Sequence, residues 1–400
     1  MMAAISAGSS GNEVTLIERN PSLGKKLLLT GGGRCNLTNA CAPEDLVDHF
    51  SRTGNFLRDA FGAFNNADLI KFFLKNKLLT RTEEKNRVFP VTDKASSVLN
   101  VLEMKLRALK INVIFEKRVK DLICDKNVVK GVSCTDGSKI KADAVILTTG
   151  GVTYPATGST GDGIKIAGLT GHGIVPLKPG LVSLDLSKEY PGSLEGLSLK
   201  EVKLTFRAGK TRSVSGPDDL MFTGRGISGP VTFFSSAKVI DWLDDNKEVF
   251  VDMDIVPATS SKDLESILLG KLSASSGKGI RNVLKEVVPV RFASFLLCVA
   301  RILPEKKANQ VTAGERKRLI KLLKELRFNV SGGGSFDKAQ VTRGGVSVRD
   351  IDPRTMGSRK IKGLYFAGEL IDVDGDCGGF NLQAAFSTGY LAGRVHPGDV

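Results

Sequence analysis

Two stretches of this chain combine residue types and spacing that suit a nucleotide. The first is Glu13 to Glu18 (EVTLIE), an alternating apolar strand that finishes on a carboxylate. In a parallel dinucleotide-binding unit, an acid at the end of the second strand accepts hydrogen bonds from ribose hydroxyls, which makes Glu18 the candidate for that role. The second is Gly24 to Asn39 (GKKLLLTGGGRCNLTN), where three consecutive glycines stand beside Lys25, Lys26 and Arg34. Successive glycine amides can form a concave row of donors, and flanking cations add charge, so the stretch reads as an anion cradle. Further along, Ala144 to Leu147 (AVIL) runs into Thr148-Thr149-Gly150-Gly151, and Gly363 to Phe366 (GLYF) runs into Gly368-Glu369. A buried strand stepping into glycine fits a ligand at the carboxyl end of a parallel sheet. Gly378 to Gly393 then begins as a glycine turn and continues as a small-residue helix suited to close packing.

These residues need a scaffold of parallel strands and covering helices. Met1 to Ala7 reads as a short apolar helix leading to the Glu13 to Glu18 strand. Residues 42 to 79 mix polar and apolar positions at helical spacing, and Ala95 to Leu109 is an amphipathic helix whose leucines and Met104 are expected to face inward. Asp136-Gly137 joins Val128 to Cys134 and Lys139 to Lys141 as a hairpin. Beyond Pro176 the texture becomes β-rich and turn-punctuated to about residue 258, with strands at Leu181 to Leu186, Val202 to Phe206 and Val249 to Asp254. From 259 to 330 it is helical and basic, with Leu319, Leu322, Leu323 and Leu326 as an apolar stripe. Gly332 to Gly334 reads as a hinge. The expected organisation is a nucleotide-binding domain over 1 to 176, an inserted domain over 177 to 335, and a return to the first domain over 336 to 400.

Composition narrows the function class. With 400 residues the chain exceeds what one core supports, and no apolar run approaches the roughly 20 residues that span a bilayer. The beginning shows no export pattern, so a cytoplasmic protein without a membrane partner is expected. Six cysteines without a CxxC pair and three isolated histidines, His49, His172 and His396, form neither a disulfide framework nor a metal cluster. The net charge of +14 draws anions: nucleotide phosphates, acidic metabolites or RNA. Lys306, Lys307, Arg316, Lys317, Arg318, Lys321 and Lys324 read either as a solvated face or as a polyanion surface.

Five segments, in order along nearly the whole chain, resemble one family. They are GKKLLLTGGGRCNLTN, NRVFPVTDKASSV at 86 to 98, GGVTYPATGSTGDG at 150 to 163, FTGRGISGP at 222 to 230 and GLYFAGELIDVDGDCGGFNLQAA at 363 to 385. Together they are similar to the BaiN-like, YhiN-type flavoproteins, also described as aminoacetone oxidase-like. The resemblance implies an α/β fold: a Rossmann-like FAD domain of the glutathione-reductase type, interrupted by an inserted β-rich and helical domain. It implies that Glu18 holds the adenosine ribose, that Lys25, Lys26 and Arg34 neighbour the cofactor, and that Val119 lies against adenine. Gly150 and Gly151 belong to the same site. Gly368, Glu369 and Asp376 are expected near the ribityl and pyrophosphate parts, with Gly378, Gly379, Phe380 and Asn381 starting a helix aimed at the flavin pyrimidine. A helix N-terminus there stabilises the negative charge of reduced flavin.

The resemblance also implies a strand and GxGxxG turn ahead of Met1, and weak or absent FAD binding by a chain without them. Relatives commonly carry histidine where Gly224 stands. The implied activity is hydride transfer from NAD(P)H, as a transient reductant, through FAD to an unsaturated substrate, with a uridine of ribosomal RNA favoured by the basic charge. Cys377 and Tyr154 are the catalytic candidates, the first as proton donor and the second as a planar contact for a base. A small-molecule substrate and a non-catalytic nucleotide- or RNA-binding protein are the alternatives.

Overall fold

The computed structural model describes residues 1–50, 52–187 and 192–394. The chain divides into two compact units: Met1–Gly180 with Phe336–Val400, and Leu181–Ser335.

In the first unit the helix Met2–Ser9 leads to the strand Thr15–Ile17, which pairs in parallel with Asn112–Ile114. A second parallel pair joins Val145–Leu147 to Leu364–Phe366, and the short strands Gly357–Ser358 and Ile351–Asp352 extend it. The hairpin expected at Asp136-Gly137 is present, within an antiparallel sheet of Val119–Asp125, Val128–Cys134 and Lys139–Lys141. Residues 42 to 79 form several short helices, including Arg58–Ala63 and Asn66–Lys75. The latter starts with a reciprocal capping box in which Asn65 and Asp68 each accept the other's backbone N–H.

The helix Phe380–Ala392 runs through the middle of the first unit. It separates two apolar clusters, contributing Phe380, Ala384 and Leu391 to one and Phe386 to the other. A helix surrounded by core tolerates polar side chains only when they are bonded. Gln383 meets that condition: its carbonyl accepts from Thr38 Oγ1 at 2.6 Å and its amide donates to Ser387 Oγ and to the Phe64 carbonyl. The helix also lies against Met2–Ser9, where Ser6 Oγ donates to the Tyr390 carbonyl at 2.7 Å. A Cβ on Gly393 would come within 2.4 Å of the Ala3 carbonyl, so the absence of a side chain permits this approach.

Two sequence expectations fail here. Met104 is exposed, because on the helix Ala95–Ala108 it points roughly opposite the buried Leu99, Leu102 and Leu106. Gly332 and Gly333 are no hinge: they end the strand Leu326–Gly333, in register with Asp185 and Leu184.

The second unit holds a seven-stranded antiparallel sheet. Its order is Thr211–Val214, Ser198–Ala208, Asp218–Phe222, Gly226–Ser228, Leu184–Leu186, Leu326–Gly333, Val249–Asp254. Ser198–Ala208 also pairs with Val249–Asp254, so six of the strands close into a ring. The stretch read as β-rich carries a 15-residue helix, Pro230–Asp244, which packs on this sheet with Val231, Val239 and Ile240 buried. The helices Ser261–Ala274, Ile280–Leu284, Val290–Val299 and Ala313–Lys324 complete the unit.

Candidate nucleotide and redox site

The site gathers on the first unit, at the ends of its parallel strands. Glu18 follows the strand Thr15–Ile17, and its amide donates to the Ile114 carbonyl at 2.9 Å. Its Oε1 accepts from the Asn20 amide and from Asn20 Nδ2, both at 2.8 Å, which fixes the carboxylate while leaving Oε2 for a ligand. Asn20 is tied in turn to the Thr157 carbonyl at 2.9 Å and accepts from Lys25 Nζ at 3.2 Å. Val119 stands in the neighbouring antiparallel sheet opposite Cys134, partly buried against the core.

Glu369 is the hub of the second cluster. Its carboxylate accepts from Lys26 Nζ at 2.5 Å, Thr153 Oγ1 at 3.2 Å and the Thr342 amide at 2.7 Å. Thr342 Oγ1 accepts from the Val152 amide at 2.9 Å. A Cβ on Gly151 would fall 2.1 Å from that hydroxyl, and Gly150 has φ 74°, so both glycines are required by this crossing. Tyr154 also has a left-handed backbone, φ 54°. Such a conformation is uncommon for an aromatic residue, and here the Tyr154 carbonyl accepts from Thr157 N and Oγ1 to close the turn.

The glycine row behaves differently from its neighbours. Gly31, Gly32 and Gly33 have φ of 57°, 66° and 90°, and a Cβ on Gly32 or Gly33 would meet nothing within 4 Å. Arg34, expected beside a cofactor, has its guanidinium over the Phe89 ring at 4.1 Å and paired with Glu83 and with Asp93, the latter at 2.8 Å. Arg81 joins the same network. Together the arginines hold both carboxyls below the usual carboxylate range. Cys35 is buried, which pushes its thiol up to about 11 and removes it from thiolate chemistry at neutral pH.

The third cluster surrounds the start of Phe380–Ala392. No side chain caps this helix, and Gly379 before it has φ 99°. A Cβ on Gly379 would lie 2.4 Å from both the carbonyl carbon and oxygen of Thr38, so the turn and the segment after the glycine row touch backbone to backbone. Asn39 Nδ2 donates to the Gly378 carbonyl at 3.2 Å. In the orientation that satisfies both ends of its amide, Asn36 accepts from the Gly379 N–H at 3.1 Å. Asn381 Oδ1 accepts from the Gly375 amide at 2.9 Å and its Nδ2 donates back to the Gly375 carbonyl at 2.8 Å, bracing the turn that carries Asp376 and the half-buried Cys377.

Sequence reasoning missed His49. Its Nδ1 meets Asp376 Oδ2 at 3.0 Å, and its ring stacks on Phe380 with centroids 3.9 Å apart. No spacing rule could have found this pair, because the two residues are 327 positions apart. His172, by contrast, is a core residue: Nε2 bonds Ser358 Oγ at 2.7 Å, and burial pushes its pKa down. His396 lies outside the described residues. Among the described residues no group of three or more potential ligands could hold a metal, and no helix is long and apolar enough to cross a membrane.

The arrangement sets a carboxylate at a strand end, glycine turns with open space beside them, and a helix N-terminus without a side-chain cap, which are features that can receive a ribose, a phosphate and a partial negative charge. The open positions at Gly32 and Gly33 and the uncapped turn at Gly379 fit an extended dinucleotide such as FAD. Comparison with known proteins agrees. The HI0933-like protein Rossmann domain matches residues 1–395. Over 398 residues the chain is 33% identical to the 3-dehydro-bile acid delta(4,6)-reductase of Clostridium scindens, covering 99% of this chain and 96% of that protein. Over 394 residues it is 29% identical to the ribosomal RNA dihydrouridine synthase of Escherichia coli, covering 98% and 94%. Among solved structures, the 3-ketosteroid-delta4-(5alpha)-dehydrogenase of Rhodococcus jostii shares the fold with a TM-score of 0.51 at 14% identity, covering 98% of this chain and 92% of that one.

Proposed function

The chain belongs to the HI0933-like family of FAD-dependent oxidoreductases, and on that premise we propose that it delivers a hydride from NAD(P)H, by way of FAD, to a carbon–carbon double bond conjugated with a carbonyl, the natural bearer of which is a uridine in ribosomal RNA. The names of the two relatives describe different molecules but one kind of step, because a 4,6-unsaturated 3-oxo steroid and a uracil ring both carry an alkene conjugated with a carbonyl. Bound FAD supplies the two-electron carrier for that step.

The observation that carries the reading is the backbone meeting of Thr38 and Gly379 at an uncapped helix end. It leaves the first amides of Phe380–Ala392 directed out of the helix, where they stabilise negative charge. Glu18 holds a ribose, with Asn20 keeping its carboxylate in place. Gly150, Gly151 and Glu369 shape the crossing beside it, and Lys25, Lys26 and Asp376 line the approach. Saturating the double bond also consumes a proton. His49 is suited to hold it at Nε2, because Asp376 fixes Nδ1 as the hydrogen-bonded nitrogen and Phe380 fixes the ring plane. Cys377 and Tyr154 stand as further contacts for the substrate.

RNA is favoured over a small ketone by charge. The +14 balance raises the local concentration of a polyanion far more than that of a steroid carrying a single carboxylate, whose apolar body needs an apolar pocket. The test is NAD(P)H oxidation by the FAD-loaded protein with a ribosomal RNA transcript and, separately, with a 3-oxo-4,6-diene steroid. RNA-dependent oxidation with dihydrouridine in the product supports the reading; oxidation with the steroid alone replaces the substrate, and flavin-loaded protein that oxidises NAD(P)H with neither substrate overturns the reaction.

A further inference from the structure

The basic charge is concentrated. Residues 259 to 330 contain fifteen Lys and Arg against six Asp and Glu, a net +9 within a chain of +14. Much of it is engaged internally: Lys306 pairs with Glu315 at 2.7 Å, Arg318 donates to the Ala300 carbonyl, and Arg316 donates to the Val311 carbonyl. The ammonium groups of Lys262, Lys317 and Lys321 make no hydrogen bond or ion pair among the described residues, and all three residues are exposed.

These three converge. With Lys324 they line a cleft of about 470 Å³ between the helices Ser261–Ala274 and Ala313–Lys324, whose other lining residues are Ser261, Glu265, Ile320 and Glu325. Lys324 is anchored at this place by the Val256 and Thr259 carbonyls and by Asp254 at 2.7 Å. Glu325 is turned toward Arg327, 3.7 Å away. Lys317 and Lys321 lie one turn apart on the same helix face, where like charges repel. Gathering cations that fold stability alone would separate is the pattern expected of a surface that receives an anion.

We propose that this cleft binds the phosphodiester backbone of the RNA substrate, with Lys262, Lys317 and Lys321 contacting phosphates and Ile320 beneath the sugar or base. The proposal takes its ligand from the RNA reading above, and locates the electrostatic part of recognition on the inserted unit. Lysines contact phosphate as point charges, so the surface contributes affinity and register rather than sequence preference.

The experiment is fluorescence anisotropy with a fluorescein-labelled single-stranded 20-nucleotide RNA containing uridines, on the full chain, across a potassium chloride series. The triple variant Lys262→Glu, Lys317→Glu, Lys321→Glu is expected to bind at least about tenfold more weakly, and the neutral triple Lys→Gln at the same positions should lower the log–log salt slope by about 2, three contacts at about 0.7 each. A charge-matched triple on the other unit, Lys71→Glu, Lys75→Glu, Lys130→Glu, is expected to keep wild-type affinity within about twofold. Circular dichroism melting identifies any variant that fails to fold, and the Gln triple then decides. If both Glu triples weaken binding equally, or the cleft variants bind like wild type, the cleft proposal is overturned while the RNA reading stands. If the wild-type chain does not bind the RNA, both fall; if polyglutamate competes as well as RNA at equal charge, the RNA occupant is overturned.

Discussion

His49 and Asp376 share a hydrogen bond of 3.0 Å between Nδ1 and Oδ2, and the same imidazole lies at 18° to the Phe380 ring. A carboxylate partner makes Nδ1 the protonated nitrogen of the neutral ring, which leaves Nε2 as its acceptor nitrogen. The pair therefore places an oriented acid–base group at the helix end that the flavin reading requires.

From that geometry, His49→Gln is expected to slow reoxidation of the reduced enzyme by substrate about a hundredfold, the usual order for a positioned general acid. The visible flavin absorbance should persist. Asp376→Asn, which keeps a side-chain partner for Nδ1, should slow the same half-reaction less. Stopped-flow traces that match wild type for both variants would remove His49 from the reaction.

Glu369 accepts three hydrogen bonds, from Lys26, Thr153 and Thr342, and is only partly exposed. Glu369→Gln turns an amide N–H₂ toward these donors. The expected loss is about 1 to 3 kcal/mol of stability, read as a lower melting temperature in calorimetry. Lys25→Gln removes one 3.2 Å bond from a half-buried ammonium to Asn20 and should cost about 1 kcal/mol. Equal melting temperatures for Glu369→Gln and wild type would show that the hub is not structural.

Gly379→Ala combines a positive φ with a Cβ placed 2.4 Å from the Thr38 backbone. The strain, about 1 to 3 kcal/mol, is relieved only by moving the turn, so flavin content should fall along with the melting temperature. Gly32→Ala carries the φ penalty without a clash and should leave the fold intact. A Gly379→Ala protein that reconstitutes with full flavin would contradict the proposed approach of this turn.

His172 yields a pH prediction. Burial lowers its folded-state pKa, so the unfolded chain binds more protons in the window just below the ordinary histidine value of about 6.5. Stability is therefore expected to fall as pH drops through that window. His172→Gln, which keeps hydrogen-bonding capacity toward Ser358, should show a smaller loss between pH 7 and 5 in chemical denaturation. A variant that loses as much as wild type over that range would assign the acid sensitivity elsewhere.

Much of the fold was legible because its signals are local. The apolar run at residues 145 to 147, the Asp136-Gly137 turn and the small-residue helix after Gly379 each declare themselves within a dozen positions. Met104 was misjudged because the helix Ala95–Ala108 carries apolar residues on more than one face, and only packing selects the buried one. Gly332 and Gly333 read as a joint because glycine permits many backbones, and their partners Asp185 and Leu184 lie far off in sequence. The helix Pro230–Asp244 escaped notice because its apolar residues cover it without a sharp stripe.

By itself the sequence determined that glycine turns, a strand-ending acid and a basic helical segment would exist, and its motifs pointed to the family. Each depends on residue type and short spacing, which chain chemistry fixes before folding. Only the tertiary structure decided which side chains share a cluster: Lys26 with Glu369, His49 with Asp376, Lys262 with Lys317 and Lys321. It also engaged Arg34 with Glu83 and Asp93. Such pairings are set by how layers pack and by which polar groups need partners, and a linear pattern carries no record of either.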